Sequence, residues 1–230
     1  MLISAVLLVI FSLVGCNDET NEISETISSL EDGQYVGYSN ATKRGYLEAN
    51  ITIEEDEIVD VELIEYQAES NQVKDKNYSY DNFHNAIDEL PDRFIETNDS
   101  EVKVVSGATS TSNQAMEAVD MALQKAKGIR KFNGTYMGLS NLDNRGNHAV
   151  AWVTIEDEEI IEVKLEEADN GEYKDDDYSL EEYHEAKEEL SLKITEVNST
   201  DIDIYSGATS SSEKFIEATN NALEKAGLNL

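Results

Sequence analysis

Five residues, Ser106-Gly107-Ala108-Thr109-Ser110, recur letter for letter as Ser206-Gly207-Ala208-Thr209-Ser210, 100 positions further on. A duplication at that distance divides the 230-residue chain into two similar units, each of a usual size for an independent core. In both copies an alternating run enters the pentapeptide, Val102 to Val105 and Ile202 to Tyr205, and a helical pattern leaves it. Met116, Val119, Leu123 and Ala126 share one helical face, as do Ile216, Thr219, Leu223 and Ala226. The pattern predicts a strand, a turn and a helix. Thr111 with Gln114, and Ser210 with Glu213, have capping-box spacing, so Thr109 and Thr209 are expected just before their helices begin.

A group attached at that place meets a helix N-terminus, where unpaired N–H groups and the positive end of the helix dipole favour an anion. Phosphate is the natural candidate, and Gly107 and Ala108 leave the threonine hydroxyl open to an enzyme that must reach it. The plainer alternative is a surface binding module without any attached group, in which the Ser/Thr-rich stretches only cap helices.

At these residues the chain resembles the FMN-binding domain family, in which FMN is joined to a threonine through a phosphodiester by an FAD-dependent FMN transferase. The family motif is Asp-x-x-Ser/Thr-Gly-Ala-Thr. Asp203-Ile204-Tyr205-Ser206-Gly207-Ala208-Thr209 matches it throughout, whereas Lys103 stands at the acidic position before Ser106-Gly107-Ala108-Thr109. Gly33-Gln34-Tyr35-Val36-Gly37 and Gly134-Thr135-Tyr136-Met137-Gly138 look like the family's opening Gly-x-Tyr-x-Gly strand. The resemblance implies covalent FMN at Thr109 and Thr209, and electron transfer from a membrane quinol or flavoprotein donor to an external acceptor. A reductase acting on an external substrate has the same sequence features.

Forty-nine acidic residues against 17 basic ones give a formal charge of -32, which argues against nucleic acid as a partner. Such a field should also make a bound flavin harder to reduce. Met1 to Gly15 is apolar but shorter than the roughly 20 residues that a membrane-spanning helix needs. It reads as a signal peptide, residues 1–15. Leu13-Val14-Gly15-Cys16 resembles the bacterial lipobox, so Cys16, the only cysteine, is the expected lipidation site. The protein is then expected at the extracellular face of the cytoplasmic membrane, with an acidic tether over 16–31 and the two units at 32–128 and 129–230.

The remainder predicts an α+β fold in two tandem domains, each an antiparallel sheet with packed helices. Ile51 and Ile53, Ile58 to Leu63, Trp152 to Ile155 and Ile160 to Leu165 alternate as strands of a meander. The acidic corners Glu54 to Glu57 and Glu156 to Glu159 lack the glycine of a tight turn and read as solvated turns rather than Ca²⁺ loops. Tyr80, Phe83, Ile87, Leu90 and Phe94 form a helical stripe that Pro91 is expected to break or kink; Leu180, Tyr183, Leu190 and Ile194 repeat it. His84 and His184 lie beside these stripes, as packing residues rather than metal ligands or proton carriers. Tyr78, Tyr178 and Trp152 could wall a flavin or belong to the core. No catalytic constellation or metal-ligand spacing is present in the sequence.

Overall fold

The computed structural model describes residues 29–68, 72–169, 172–174 and 176–229. Its elements run β1 (Gly33–Tyr38), β2 (Gly45–Glu54), β3 (Glu57–Gln67), α1 (Asp81–Thr97) and α2 (Thr109–Ala126). The set then repeats as β4 (Gly134–Leu139), β5 (Asn147–Glu156), β6 (Glu159–Asp169), a short β7 (Glu172–Tyr173), α3 (Glu181–Val197) and α4 (Thr209–Lys225). The strands form two antiparallel sheets, β1-β2-β3 and β4-β5-β6-β7. The fold is α+β in two tandem copies. Among the described residues, no helix is long and apolar enough to cross a membrane. The expected signal peptide and Cys16 lie outside the described residues. Leu30 and Glu31, the end of the expected tether, are tied down: their N–H groups donate to Asp56 and to the Ala126 carbonyl.

Alternation along the strands sends Ala49, Ile51 and Ile53, and likewise Ala149, Ala151, Val153 and Ile155, toward the helices. α2 and α4 lie almost in contact with the backbone of the opening strands. A Cβ at Gly37 would run into the Ala118 carbonyl, and one at Gly138 into that of Ala218. The second glycine of Gly-x-Tyr-x-Gly is therefore a packing requirement. Ala115, Ala118 and Ala122, with Ala218 and Ala222 in the copy, are fully buried because only small residues fit that approach.

The acidic corners are two-residue turns, with φ of 53° and 70° at Glu55 and Asp56 and of 49° and 68° at Asp157 and Glu158. Positive φ at both central residues is the habit of a type I′ turn, unusual without glycine or asparagine. Side chains from the helix ends hold them. Asn98, left-handed at the end of α1, accepts the Ile58 N–H at 2.8 Å and donates to the Asp56 carbonyl at 3.0 Å. Asn198 accepts the Ile160 N–H in the same way, also at 2.8 Å.

Two sequence expectations fail. The break expected at Pro91 does not occur: α1 runs through it for 17 residues, the length of α3. An internal proline costs about 3 kcal/mol, but Leu90 and Phe94 on either side of it are fully buried and hold the helix on the sheet. The runs Val102 to Val105 and Ile202 to Tyr205 join no sheet. The Val105 N–H donates instead to the Ser112 hydroxyl at 3.0 Å, and that of Tyr205 to Ser212 at 3.1 Å. Val104 and Ile204 are exposed.

The helix-free faces of the sheets meet. Tyr46, Ala68, Met137 and Val150 form one buried cluster drawn from both units, with Tyr46 stacked on Tyr66 at 5.0 Å. Around it the Ala41 N–H donates to the Thr135 carbonyl at 2.7 Å, the Thr135 N–H to Asn40 at 2.9 Å, and the Trp152 indole to the Thr42 carbonyl at 3.3 Å. Trp152 thus belongs to the junction between units.

Candidate functional site

Each pentapeptide is a turn folded onto the start of a helix. Ala108 N–H bonds to the Val105 carbonyl at 3.0 Å and Ala208 to that of Tyr205 at 3.2 Å, with Gly107 and Gly207 at φ of 81° and 93°. Glycine is needed there, because other residues rarely adopt that conformation. Ser112 and Ser212 close the turn from inside the helix, donating to the carbonyls of Ala108 and Ala208 at 2.9 Å while accepting from Val105 and Tyr205. The sequence reading missed this pair of serines, although their recurrence at the same distance was available as a signal.

Thr109 and Thr209 are the first residues of α2 and α4 rather than the residues before them, which overturns the capping-box expectation. The N-cap residues are Ala108 and Ala208, and no side chain caps either helix. The first intrahelical bonds run from Ser112 and Ser212, so the N–H groups of Thr109 to Thr111, and of Thr209 to Ser211, precede them. Both threonines, with Ser106, Gly107, Ser206 and Gly207, are exposed, while Ala108 and Ala208 are buried. Because the pentapeptides supply no side-chain cap, the reading of them as helix caps alone loses its basis.

Behind each turn lies a buried carboxylate. Glu65, 6% exposed, pairs with Lys74 and accepts the Thr111 hydroxyl at 3.1 Å. Glu167, 1% exposed, accepts from Lys174 at 2.7 Å, Ser211 at 2.7 Å and Lys214 at 2.6 Å; Lys214 also reaches Asp143 at 3.1 Å. Burial pushes the Glu167 pKa up, but the bonds from Lys174, Lys214 and Ser211 outweigh it and hold it below the ordinary value. Neither carboxylate stands out among 49 acidic residues in the sequence.

In the first unit these groups border an open cleft of about 310 Å³, lined among others by Arg44, Lys74, Tyr78, Tyr80, Phe83 and Thr109. That volume falls within the range of small-molecule sites. The Tyr80 hydroxyl donates to the Gly107 carbonyl at 2.5 Å, and Asn82 packs against Gly107. Aromatic walls, two cations and an exposed hydroxyl at a helix N-terminus suit a planar ring carrying a phosphate. In the second unit Leu180, Glu182 and Lys214 replace Tyr80, Asn82 and Gln114, and Glu182 packs against Gly207. His148, 6% exposed, has no hydrogen-bond partner on either ring nitrogen among the described residues. Burial and then the charge of Lys214 lower its pKa, against Glu167.

His84 and His184 bond through Nε2 to the carbonyls of Tyr78 and Tyr178 at 2.7 and 2.8 Å and pack edge-on against Phe83 and Tyr183. They tie the loop to the helix. Among the described residues, no group of three His, Cys, Asp or Glu could hold a metal ion. Lys103 and Asp203 are both exposed, and Arg93 donates to the Lys103 carbonyl.

The family of FMN-binding domains matches this chain over residues 43–124 and 146–224. Among solved structures, the CPE2226 protein of Clostridium perfringens is similar at 25% identity, covering 43% of this chain and 90% of that one with a TM-score of 0.38. No curated protein matches.

Proposed function

From the premise that this chain belongs to the FMN-binding domain family in both of its units, with FMN as the cofactor, we propose that it carries FMN joined through phosphate to Thr109 and Thr209 and serves as an electron carrier. The observation that bears most weight is the placement of both threonines: exposed, first in their helices, and beside backbone N–H groups that a phosphodiester can use. Attachment is a transfer from FAD. The bond from the threonine Oγ1 to the FMN phosphorus forms, the anhydride bond of FAD breaks, AMP leaves and the hydroxyl proton goes to solvent or to a base of the transferase.

Once bound, FMN supplies one- or two-electron chemistry, and the protein supplies position and electrostatics. In the first unit Tyr78, Tyr80 and Phe83 offer the ring its walls, while Arg44 and Lys74 offer cations to its polar edge. The buried Glu65 holds Lys74 in place. Glu167 and Lys174 are the corresponding pair of the second unit, joined there by Lys214 in the place of Gln114.

The lipobox-like run ending at Cys16 supports a lipid anchor and a place on the outer face of the membrane, where a quinol or flavoprotein donor would deliver electrons. Two tests address these readings. On a denaturing gel, flavin fluorescence should stay with the band of wild type and vanish from the Thr109→Ala, Thr209→Ala double variant; a fluorescent double variant sinks attachment at these sites. Cys16→Ala should release the protein from the membrane, and a variant that stays bound with the parental N-terminus rules out lipid there.

A further inference from the structure

The two attachment sites share a backbone and differ in charge. Beside Thr109 the cleft holds the cations Arg44 and Lys74 against the single carboxylate of Glu65, and the residue packed on Gly107 is the neutral Asn82. Beside Thr209, Lys174 and Lys214 are both engaged by Glu167, Lys214 is shared with Asp143, and the residue packed on Gly207 is Glu182. Arg145 stands where the first unit has Arg44: its backbone N–H donates to the Asp143 carboxylate at 2.8 Å as that of Arg44 does to the Thr42 hydroxyl at 3.1 Å. The first site has a surplus of one positive charge, whereas in the second the cations Arg145, Lys174 and Lys214 are matched by the carboxylates Asp143, Glu167 and Glu182.

We propose that the two sites are electrostatically staggered, so that the flavin on Thr109 is reduced at the higher potential and the flavin on Thr209 at the lower. This rests on the attachment reading above. Reduction of a flavin by two electrons increases its negative charge unless matched by protons from solvent, and a nearby cation favours the reduced form while a carboxylate disfavours it. Arg44 and Glu182 are exposed and Asn82 is half-buried, so the gap is partly screened and must shrink as salt rises. At equilibrium electrons then collect on the first unit.

The test uses the full chain co-expressed with the transferase, as Thr209→Ala to leave only the Thr109 flavin and as Thr109→Ala to leave only the Thr209 flavin. Peptide mass spectrometry first confirms which threonine bears FMN; flavin on neither is the failure of the attachment reading and is seen before any potential is measured. Spectroelectrochemical titration, with dithionite as reductant, should then give the Thr109 flavin the higher potential at low salt, with a smaller gap at 1 M NaCl. Asn82→Glu and Arg44→Gln should lower the Thr109 flavin, and Glu182→Asn should raise the Thr209 flavin. Equal potentials, a reversed order, or exchanges at 82 and 182 that leave both potentials unmoved overturn the proposal.

Discussion

The ammonium of Lys225, in the last turn of α4, lies 4.0 Å from the ring centroid of Tyr46 in the other unit and donates to the Met137 carbonyl at 2.6 Å. Burial lowers its pKa to about 8, with Glu48 opposing. A lysine whose folded pKa is lowered binds its proton less well folded than unfolded, so stability rises as pH climbs from about 8 toward its ordinary value. Tyrosines act in the opposite sense above pH 10. Tyr38, pushed up to about 12 by burial and then by Glu48, gives stability that is full below its unfolded value and lost through its folded one. Urea unfolding from pH 8 to 10 should therefore show wild type gaining about 2 kcal/mol more than Lys225→Met. Lys125, lowered by burial and by Arg130, contributes to both proteins alike and cancels in the comparison. Parallel profiles for the two proteins would show that Lys225 is not the titrating group.

Gly37→Ala and Gly138→Ala each place a methyl group on the carbonyl of a helix that cannot retreat. Each should cost about 1 to 3 kcal/mol, the range for overpacking a tight core. Thermal unfolding is the measurement, and a melting temperature unchanged by either substitution would contradict the close approach of α2 to β1 or of α4 to β4.

Asn98→Ala removes two hydrogen bonds to the β2–β3 turn and leaves a left-handed backbone without a residue suited to it. A loss of about 2 kcal/mol is expected in urea. Asn98→Gly keeps the backbone at ease and should recover part of that loss but not the hydrogen-bond share. Full recovery by glycine would mean that the side chain does not clamp the turn.

Order of loading reads the one departure from the family motif. With limiting transferase, FMN should fill Thr209, preceded by Asp203, before Thr109, preceded by Lys103. Lys103→Asp should narrow the interval, followed by site-resolved mass spectrometry over a time course. Simultaneous loading from the earliest sample would show that the exposed residue at this position is not what the transferase reads.

The duplication, the sheet-and-helix class and the helical stripes were legible because each leaves a periodic trace. The site was legible only where it repeats: the pentapeptide gave the place of Thr109 and Thr209, but their position within the helix was misjudged. Spacing rewarded Thr111 and Gln114 as a capping box, yet the Ser112 hydroxyl takes both the Val105 N–H and the Ala108 carbonyl and so fixes the helix start earlier. That one hydroxyl also removes the donor by which Val105 would have entered a sheet. Glu65 and Glu167 were hidden in an acidic background, and their partners are 9 and 46 residues away for Glu65 alone. Trp152 carried no sign in its own strand that its indole faces the other unit.

The cluster of Tyr46, Ala68, Met137 and Val150 has a consequence for how the two copies can go on changing. Position by position along the strands, Tyr46 answers to His148 and Tyr66 to Ala168, so the meeting faces are no longer duplicates. Each copy has become the other's environment. Overwriting one copy with the sequence of its twin would preserve both pentapeptides and both helix starts, yet it would destroy the seam. Such an exchange fails at the seam before it reaches either site, so the order of the copies is fixed by their meeting faces.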